Sequence, residues 1–260
     1  ARLGLARQLE GRGFSVEARP HFTRAREEAR AVGDAVTEGE LLLSLAFIRA
    51  RTEGVTVGEA VLDTAGRLIP DTVLSLRSQL HYRRAILHSL RGRHDALAEA
   101  DSSIALARRA SDVRAEADGF RVLGQVLVYR QQFDSALVVL RHAEDLFRRV
   151  RDRSALAAGL VWRAQALGNL GRYGEMREAT RLAPAEGDAS HNPSAVATAS
   201  RWLGAIGVMM GDYATAGDHL NQAVAISRET GDSLGVMTTR KFLADVALAA
   251  GNVADARRLA

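Results

Sequence analysis

Gly211-Asp212-Tyr213 recurs as Gly171-Arg172-Tyr173 forty residues earlier and as Gly251-Asn252-Val253 forty residues later. Forty residues before the earliest of these, the same place holds Gln131-Gln132-Phe133. Looser copies stand at Gly92-Arg93-His94, Val55-Thr56-Val57 and Gly13-Phe14-Ser15. A beat of this length marks an array of supersecondary units, each too poor in contacts to fold alone. It divides the chain into seven units, at residues 1–33, 34–70, 71–111, 112–151, 152–192, 193–231 and 232–260, with the first and last incomplete.

Within a unit the apolar residues follow the i, i+3, i+4, i+7 spacing of an amphipathic helix, then a tight turn, then a second helix. The fourth unit shows this best. Val122, Leu123, Val126 and Leu127 form one stripe, Arg130-Gln131-Gln132 the turn, and Ala136, Leu137, Leu140, Ala143 and Phe147 the next stripe. Between units an Asp stands where a helix must begin, at Asp34, Asp71, Asp112, Asp152 and Asp232. Its carboxylate accepts a bond from a free N–H of the first turn. The glycine in Gly33-Asp34 and Gly231-Asp232 can take the left-handed conformation that ends the preceding helix. Two prolines threaten the pattern. Pro184 is expected to end the second helix of unit five, leaving Ala185 to Pro193 as the longest irregular stretch, and Pro20 to delay or kink the second helix of unit one.

These residues resemble the tetratricopeptide repeat family over essentially the whole chain. The family's Leu-Gly or Leu-Ala pair appears at Leu123-Gly124, Leu203-Gly204 and Leu243-Ala244. The turn glycine and the aromatic two residues on are matched at Phe133, Tyr173 and Tyr213, and the small residues of the second helix at Ala136, Ala143, Ala216 and Ala223. The resemblance implies an all-α fold, a right-handed α-α superhelix in which the aromatic plugs the gap beside the turn. The period is longer than the family's usual 34 residues, as in the long repeats of bacterial regulators and kinesin light chains. HEAT and armadillo units share this length but lack the glycine and small-residue signature.

Composition limits the functions available. With 47% hydrophobic and 25% charged residues the chain is neither disordered nor membrane-spanning. No apolar run approaches the ~20 uncharged residues of a bilayer crossing. The absence of cysteine removes disulfides, thiolate metal sites and cysteine nucleophiles, and suits the cytoplasm. The formal charge is +4, and Lys241 is the one lysine, so the basic character is arginine. Acidic residues are interspersed on the same helices, which reads as solvated faces and disfavours nucleic acid as a partner. The chain opens at Ala1 without Met or leader and stops at Ala260 within an amphipathic pattern, so a fragment of a longer protein is expected.

Catalytic motifs are missing. Gly54-Val55-Thr56-Val57-Gly58 has the outline of a nucleophile elbow, but that motif needs a preceding strand, and a helix is expected there. Neither common phosphate-loop pattern occurs. The seven histidines form no zinc pattern, and His81 and His88 are too far apart along a helix to share an ion. No cofactor, no metal and no enzymatic activity are therefore expected.

One pattern stands out. Trp162, Trp202 and Phe242 occupy identical places in units five, six and seven. In the resembled family that place faces the concave groove. The groove would then carry these three rings with Arg201, Lys241, Gln165 and Asn169 beside them, and Tyr82, Arg121, Gln125 and Tyr129 upstream. Aromatic and arginine side chains are the types that anchor interfaces. The competing reading makes the three rings core between units, as Val122 at the equivalent place suggests.

The expected function is a protein-interaction scaffold whose concave face holds a peptide or partner domain. That partner is partly acidic, or is another domain of the same polypeptide, and an adjacent output domain is regulated. A small-molecule sensor module of a bacterial transcription regulator and an RNA-binding helical repeat stay open beside it.

Overall fold

The computed structural model describes residues 2–11, 15–189 and 193–259. These residues form fourteen helices and no strand. The helices are α1 (Arg2–Gly11), α2 (Ser15–Ala31), α3 (Ala35–Glu53), α4 (Val55–Leu68), α5 (Leu74–Leu90), α6 (Ala96–Arg109) and α7 (Val113–Tyr129). They continue as α8 (Phe133–Arg149), α9 (Arg153–Asn169), α10 (Tyr173–Ala189), α11 (Pro193–Met210), α12 (Tyr213–Glu229), α13 (Ser233–Ala249) and α14 (Val253–Leu259). The chain is an all-α helical-repeat solenoid. None of the described helices is long and apolar enough to cross a membrane.

Stop and start signals are local. Asp34, Asp112, Asp152 and Asp232 accept from the backbone N–H of Thr37, Ala115, Ala155 and Gly235, at 2.9–3.0 Å. Just before each cap the chain turns left-handed, at Gly33 (φ 74°), Ser111 (55°), Arg151 (57°) and Gly231 (68°). The cap residue's own N–H then reaches back to close the previous helix, as Asp152 does to the Phe147 carbonyl at 3.0 Å. Within the pairs, Gln131, Gly171, Gly211 and Gly251 take the same conformation, with φ of 60–76°.

Close approach explains the Leu-Gly element. A Cβ at Gly124 would lie 2.4 Å from the Leu140 side chain, and one at Gly204 the same distance from Leu220. At the corresponding place in α9 the residue is Ala164, and Thr180 in α10 replaces the leucine. Volume is conserved across the seam while the individual residues change.

The pattern of helix contacts sets the curvature. Consecutive members of the series α3, α5, α7, α9, α11 and α13 touch one another. Among the described residues, no two of α4, α6, α8, α10 and α12 touch. Helices that crowd lie on the inside of a bend, so the odd series is the concave layer. That layer returns on itself, because α13 touches α3. Arg51 of α3 grips Asp232, the cap of α13, with Nη2 to Oδ2 at 2.5 Å and Nε to Oδ1 at 3.2 Å. Gly231 in the turn before α13 also lies against Val16 of α2.

Four expectations are corrected. Asp71 does not cap α5; the helix begins three residues later, behind Val73, and Asp71 pairs with Arg77 at 2.5 Å. Pro184 does not end α10, which runs on to Ala189, since a proline removes one rung of the helical ladder and the flanking rungs persist. Ala185–Ala189 are therefore helical and Pro193 opens α11, where its missing N–H costs nothing. Pro20 does not delay α2, which begins at Ser15. Tyr173 and Tyr213 do not plug a gap: as the first residues of α10 and α12 they are largely exposed, whereas Phe133 is partly buried against the core. A tyrosine keeps its hydroxyl in water where a phenylalanine has no such option. Gly13, Phe14, Ser190, His191 and Asn192 lie outside the described residues.

Candidate functional site

The concave layer places the named side chains on α5, α7, α9, α11 and α13. Tyr129, Trp162 and Trp202, from α7, α9 and α11, form a run of rings. Tyr129 meets Trp162 edge-on with centroids 5.4 Å apart, and Trp162 meets Trp202 at 5.5 Å with the planes tilted. Tyr129 is 44% exposed, and both indoles are partly buried. Trp162 packs on the cluster around Leu127, Leu140 and Leu167, and Trp202 on that around Phe147 and Leu160. Each indole thus has one flank on the core between units and keeps part of its surface open. Among the described residues no ring contact carries the run on to Phe242, which is partly buried on α13.

Two polar groups flank this run. Gln165 lies about one turn beyond Trp162 on α9, and its side-chain carbonyl is buried without a hydrogen-bond partner. Asn169 is exposed and donates to the Gln165 backbone carbonyl at 2.8 Å. Arg201 precedes Trp202 on α11 and donates to the hydroxyls of Thr238 (3.0 Å) and Thr198 (3.3 Å). Burial pulls the Arg201 guanidinium below the ordinary arginine value; Asp232 opposes that shift and Arg51 reinforces it. Burial likewise raises the Tyr129 hydroxyl, and Arg201 works against the rise.

The upstream residues are engaged differently. Arg121 donates to the Tyr82 hydroxyl, stands 5.4 Å over its ring and lies 3.6 Å from Asp118. Arg114 binds Asp118 and also Asp152 at 2.8 Å, joining α7 to the cap of α9. Burial is the leading effect on Asp118 and raises its carboxyl, although Arg114 and Arg121 pull the other way. Tyr82 and Arg121 therefore act first as a link between α5 and α7. Gln125 departs from the expectation of a groove residue: it is only 4% exposed, and its amide donates to Ser89 Oγ at 3.4 Å. Lys241 is exposed and lines a separate cleft with Arg228, Arg240 and Leu259.

Sequence reasoning missed Arg51, Asp232 and Thr198 as inner-face residues. Asp232 carried a signal only as a helix cap, and nothing local pairs it with a residue 181 positions away. Among the described residues no group of three or more His, Asp or Glu side chains is placed to hold a metal ion. His81 Nδ1 lies 2.5 Å from Glu99, and His88 Nδ1 lies 3.0 Å from Asp95.

With this geometry in hand, the comparisons fit. A tetratricopeptide repeat family model matches residues 195–260, which span α11 to α14. Over those helices the solenoid is of the tetratricopeptide type. No curated protein matches the chain in sequence. Among solved structures, the tetratricopeptide solenoid resembles a Rap protein complexed with Competence and Sporulation Factor, with TM-score 0.73 and 12% identity over 99% of this chain and 74% of that one. It resembles the apo form of RapI with TM-score 0.67 and 13% identity, over 99% and 93%. A third likeness is a signal transduction ATPase with numerous domains and a tetratricopeptide repeat sensor, from Pyrococcus horikoshii. Its TM-score is 0.58 with 14% identity, over 99% of this chain and 40% of that one. At these identities the tetratricopeptide solenoid shares a fold with them.

Proposed function

We propose that this solenoid is a protein-interaction module that holds a peptide segment on its concave face and acts by binding. The observation that carries the reading is the Tyr129, Trp162 and Trp202 run, three rings in contact across three helices with part of each left open. Stacked units present such a continuous inner surface without further adaptation. The unpartnered Gln165 carbonyl offers an acceptor to a peptide N–H, since a buried polar atom without a partner costs free energy until a donor arrives. Arg201 beside the rings favours a partly acidic segment.

Two of the similar structures support the reading. One Rap protein is in complex with Competence and Sporulation Factor, and the ATPase uses its tetratricopeptide repeats as a sensor within a multidomain chain. By the same logic the segment bound here regulates an adjoining output domain, and the site lies in the cytoplasm.

Selection of displayed random peptides on the wild-type protein tests the proposal. Selected peptides should lose at least tenfold in affinity on Trp162→Ala with Trp202→Ala, and should retain most of it on Trp162→Phe with Trp202→Phe. Equal affinity for the wild type and the alanine variant would refute the assignment of this face.

A further inference from the structure

The place where the concave layer closes forms a partly open cavity of about 210 Å³. Its walls come from both halves of the chain. Phe47 of α3 and Leu87 and Leu90 of α5 form one side, and Leu234 of α13 with Thr198 and Arg201 of α11 forms the other. The Arg51 and Asp232 pair also lines it.

Among the described residues that line this cavity the charges do not balance. Asp232 is committed, with both oxygens on Arg51 and Oδ1 also capping α13 through the Gly235 N–H at 2.9 Å. Among the described residues no carboxylate lies within ion-pair reach of Arg201, whose partners are the neutral hydroxyls of Thr198 and Thr238. The Thr238 hydroxyl itself donates to the Leu234 carbonyl at 2.9 Å, so it can only accept from Arg201. Two arginines and one carboxylate among the described lining residues leave one positive charge in a largely apolar, partly open cavity. An unmatched charge withdrawn from water is costly, and a counter-ion relieves it.

We propose that this cavity binds a monoanion with a short aliphatic group, its carboxylate on Arg201 and its hydrocarbon against Phe47, Leu87, Leu90 and Leu234. The volume falls below the roughly 300–1,000 Å³ of ordinary ligand pockets, so the occupant is about the size of one residue. A free branched-chain acid and the C-terminal residue of a peptide share this chemistry. The inference rests on the proposed function only in placing a ligand on the concave face. Because the walls belong to α3 and α5 on one side and to α11 and α13 on the other, the bound acid also holds the closure shut by mass action.

The test uses three probes, isovalerate, N-acetyl-leucine and N-acetyl-leucinamide, titrated calorimetrically to about 10 mM, the range suited to so small a ligand. The chain's two tryptophans, Trp162 and Trp202, both belong to this face, so intrinsic fluorescence gives an independent reading. The two acids should bind, and the amide should bind at least tenfold more weakly. Arg201→Gln should lose at least tenfold for the acids while keeping the wild-type Tm, with Arg240→Gln, an exposed arginine outside the cavity, as the unaffected control. Tighter binding of N-acetyl-leucine than of isovalerate identifies a peptide terminus; equal or weaker binding identifies the free acid. An amide that binds as well as the acids, acids that leave both signals unchanged, or a folded Arg201→Gln with wild-type affinity would each overturn the proposal. The acid and amide comparison on wild-type protein stands even if Arg201→Gln fails to fold. Peptides held by the tryptophans without acid binding would sink this inference alone. Acid binding without peptide selection would sink the groove reading alone.

Discussion

The seam between α7 and α9 and the seam between α13 and α3 both join helices of the concave layer, yet they are built from different materials. At the first, buried Leu127 and Val128 of α7 share a cluster with Ala164, Ala166 and Leu167 of α9, with the Tyr129 and Trp162 rings at the rim. At the second, a bidentate ion pair joins residues 181 positions apart, with Gly231 against Val16 beside it. Apolar burial contributes about 1.5–3 kcal/mol for each fully buried large side chain. A single partly buried ion pair contributes less than several such side chains together. The stack is therefore the stronger seam, and the closure the weaker and more charge-dependent one, suited to responding to a ligand.

Truncating the stack should cost most. Phe147→Ala removes one of the largest fully buried side chains, where α8 meets the core shared with Leu156 and Leu160. A loss of about 3–5 kcal/mol in urea unfolding is expected. The closing seam should yield less. Asp232→Asn keeps a competent helix cap but loses the charge that Arg51 holds, and about 1–2 kcal/mol is expected, between the exposed and buried limits for ion pairs. Raising the salt concentration should shrink that difference. A loss as large as that of Phe147→Ala would erase the contrast between the seams.

How much of this was legible in the sequence follows from the same contrast. The forty-residue beat located the turns because each turn needs a left-handed residue and each helix start an acceptor, and both demands are local. Asp71 misled because Ile69 and Pro70 carry an extended connection, with Ile69 buried, that moves the helix start to Leu74. The register placed Trp162 and Trp202 on one face but offered Phe242 as the next ring. The actual neighbour is Tyr129, which sits 33 residues before Trp162 because ring contacts cross the stagger between adjacent helices. The closure left no trace, since no periodicity encodes a contact between the second and the last helix pairs.

Smaller effects sharpen the picture of the stack. Gln131 holds φ at 60° where its counterparts at positions 171, 211 and 251 are glycine. Gln131→Gly should relieve that strain and raise stability by about 0.5–1 kcal/mol, measured by the midpoint of thermal or urea unfolding. Glu144 of α8, with its side chain 2% exposed, joins the stack to Arg163 of α9 at 2.9 Å and to Arg148 at 3.3 Å. Burial raises its carboxyl above the ordinary 4.5, with Arg163 and Arg148 opposing. A carboxyl raised on folding binds more protons in the native state, so its contribution to stability falls as pH rises through the window above 4.5. Glu144→Gln should remove that slope, gaining on the wild type as pH rises above about 4.5.

Closure of the concave layer can be measured directly. The chain has no cysteine, so single labels at Thr52 on α3 and Ser233 at the start of α13, both exposed, can be introduced without background. Pulsed electron-spin distance measurement should give one narrow, short population, as for adjacent helices whose axes lie about 8–10 Å apart. It should broaden in Asp232→Asn. An open stack would separate the same helices by five such steps, roughly 40–50 Å. A dominant population at that distance in the wild-type protein would contradict the account.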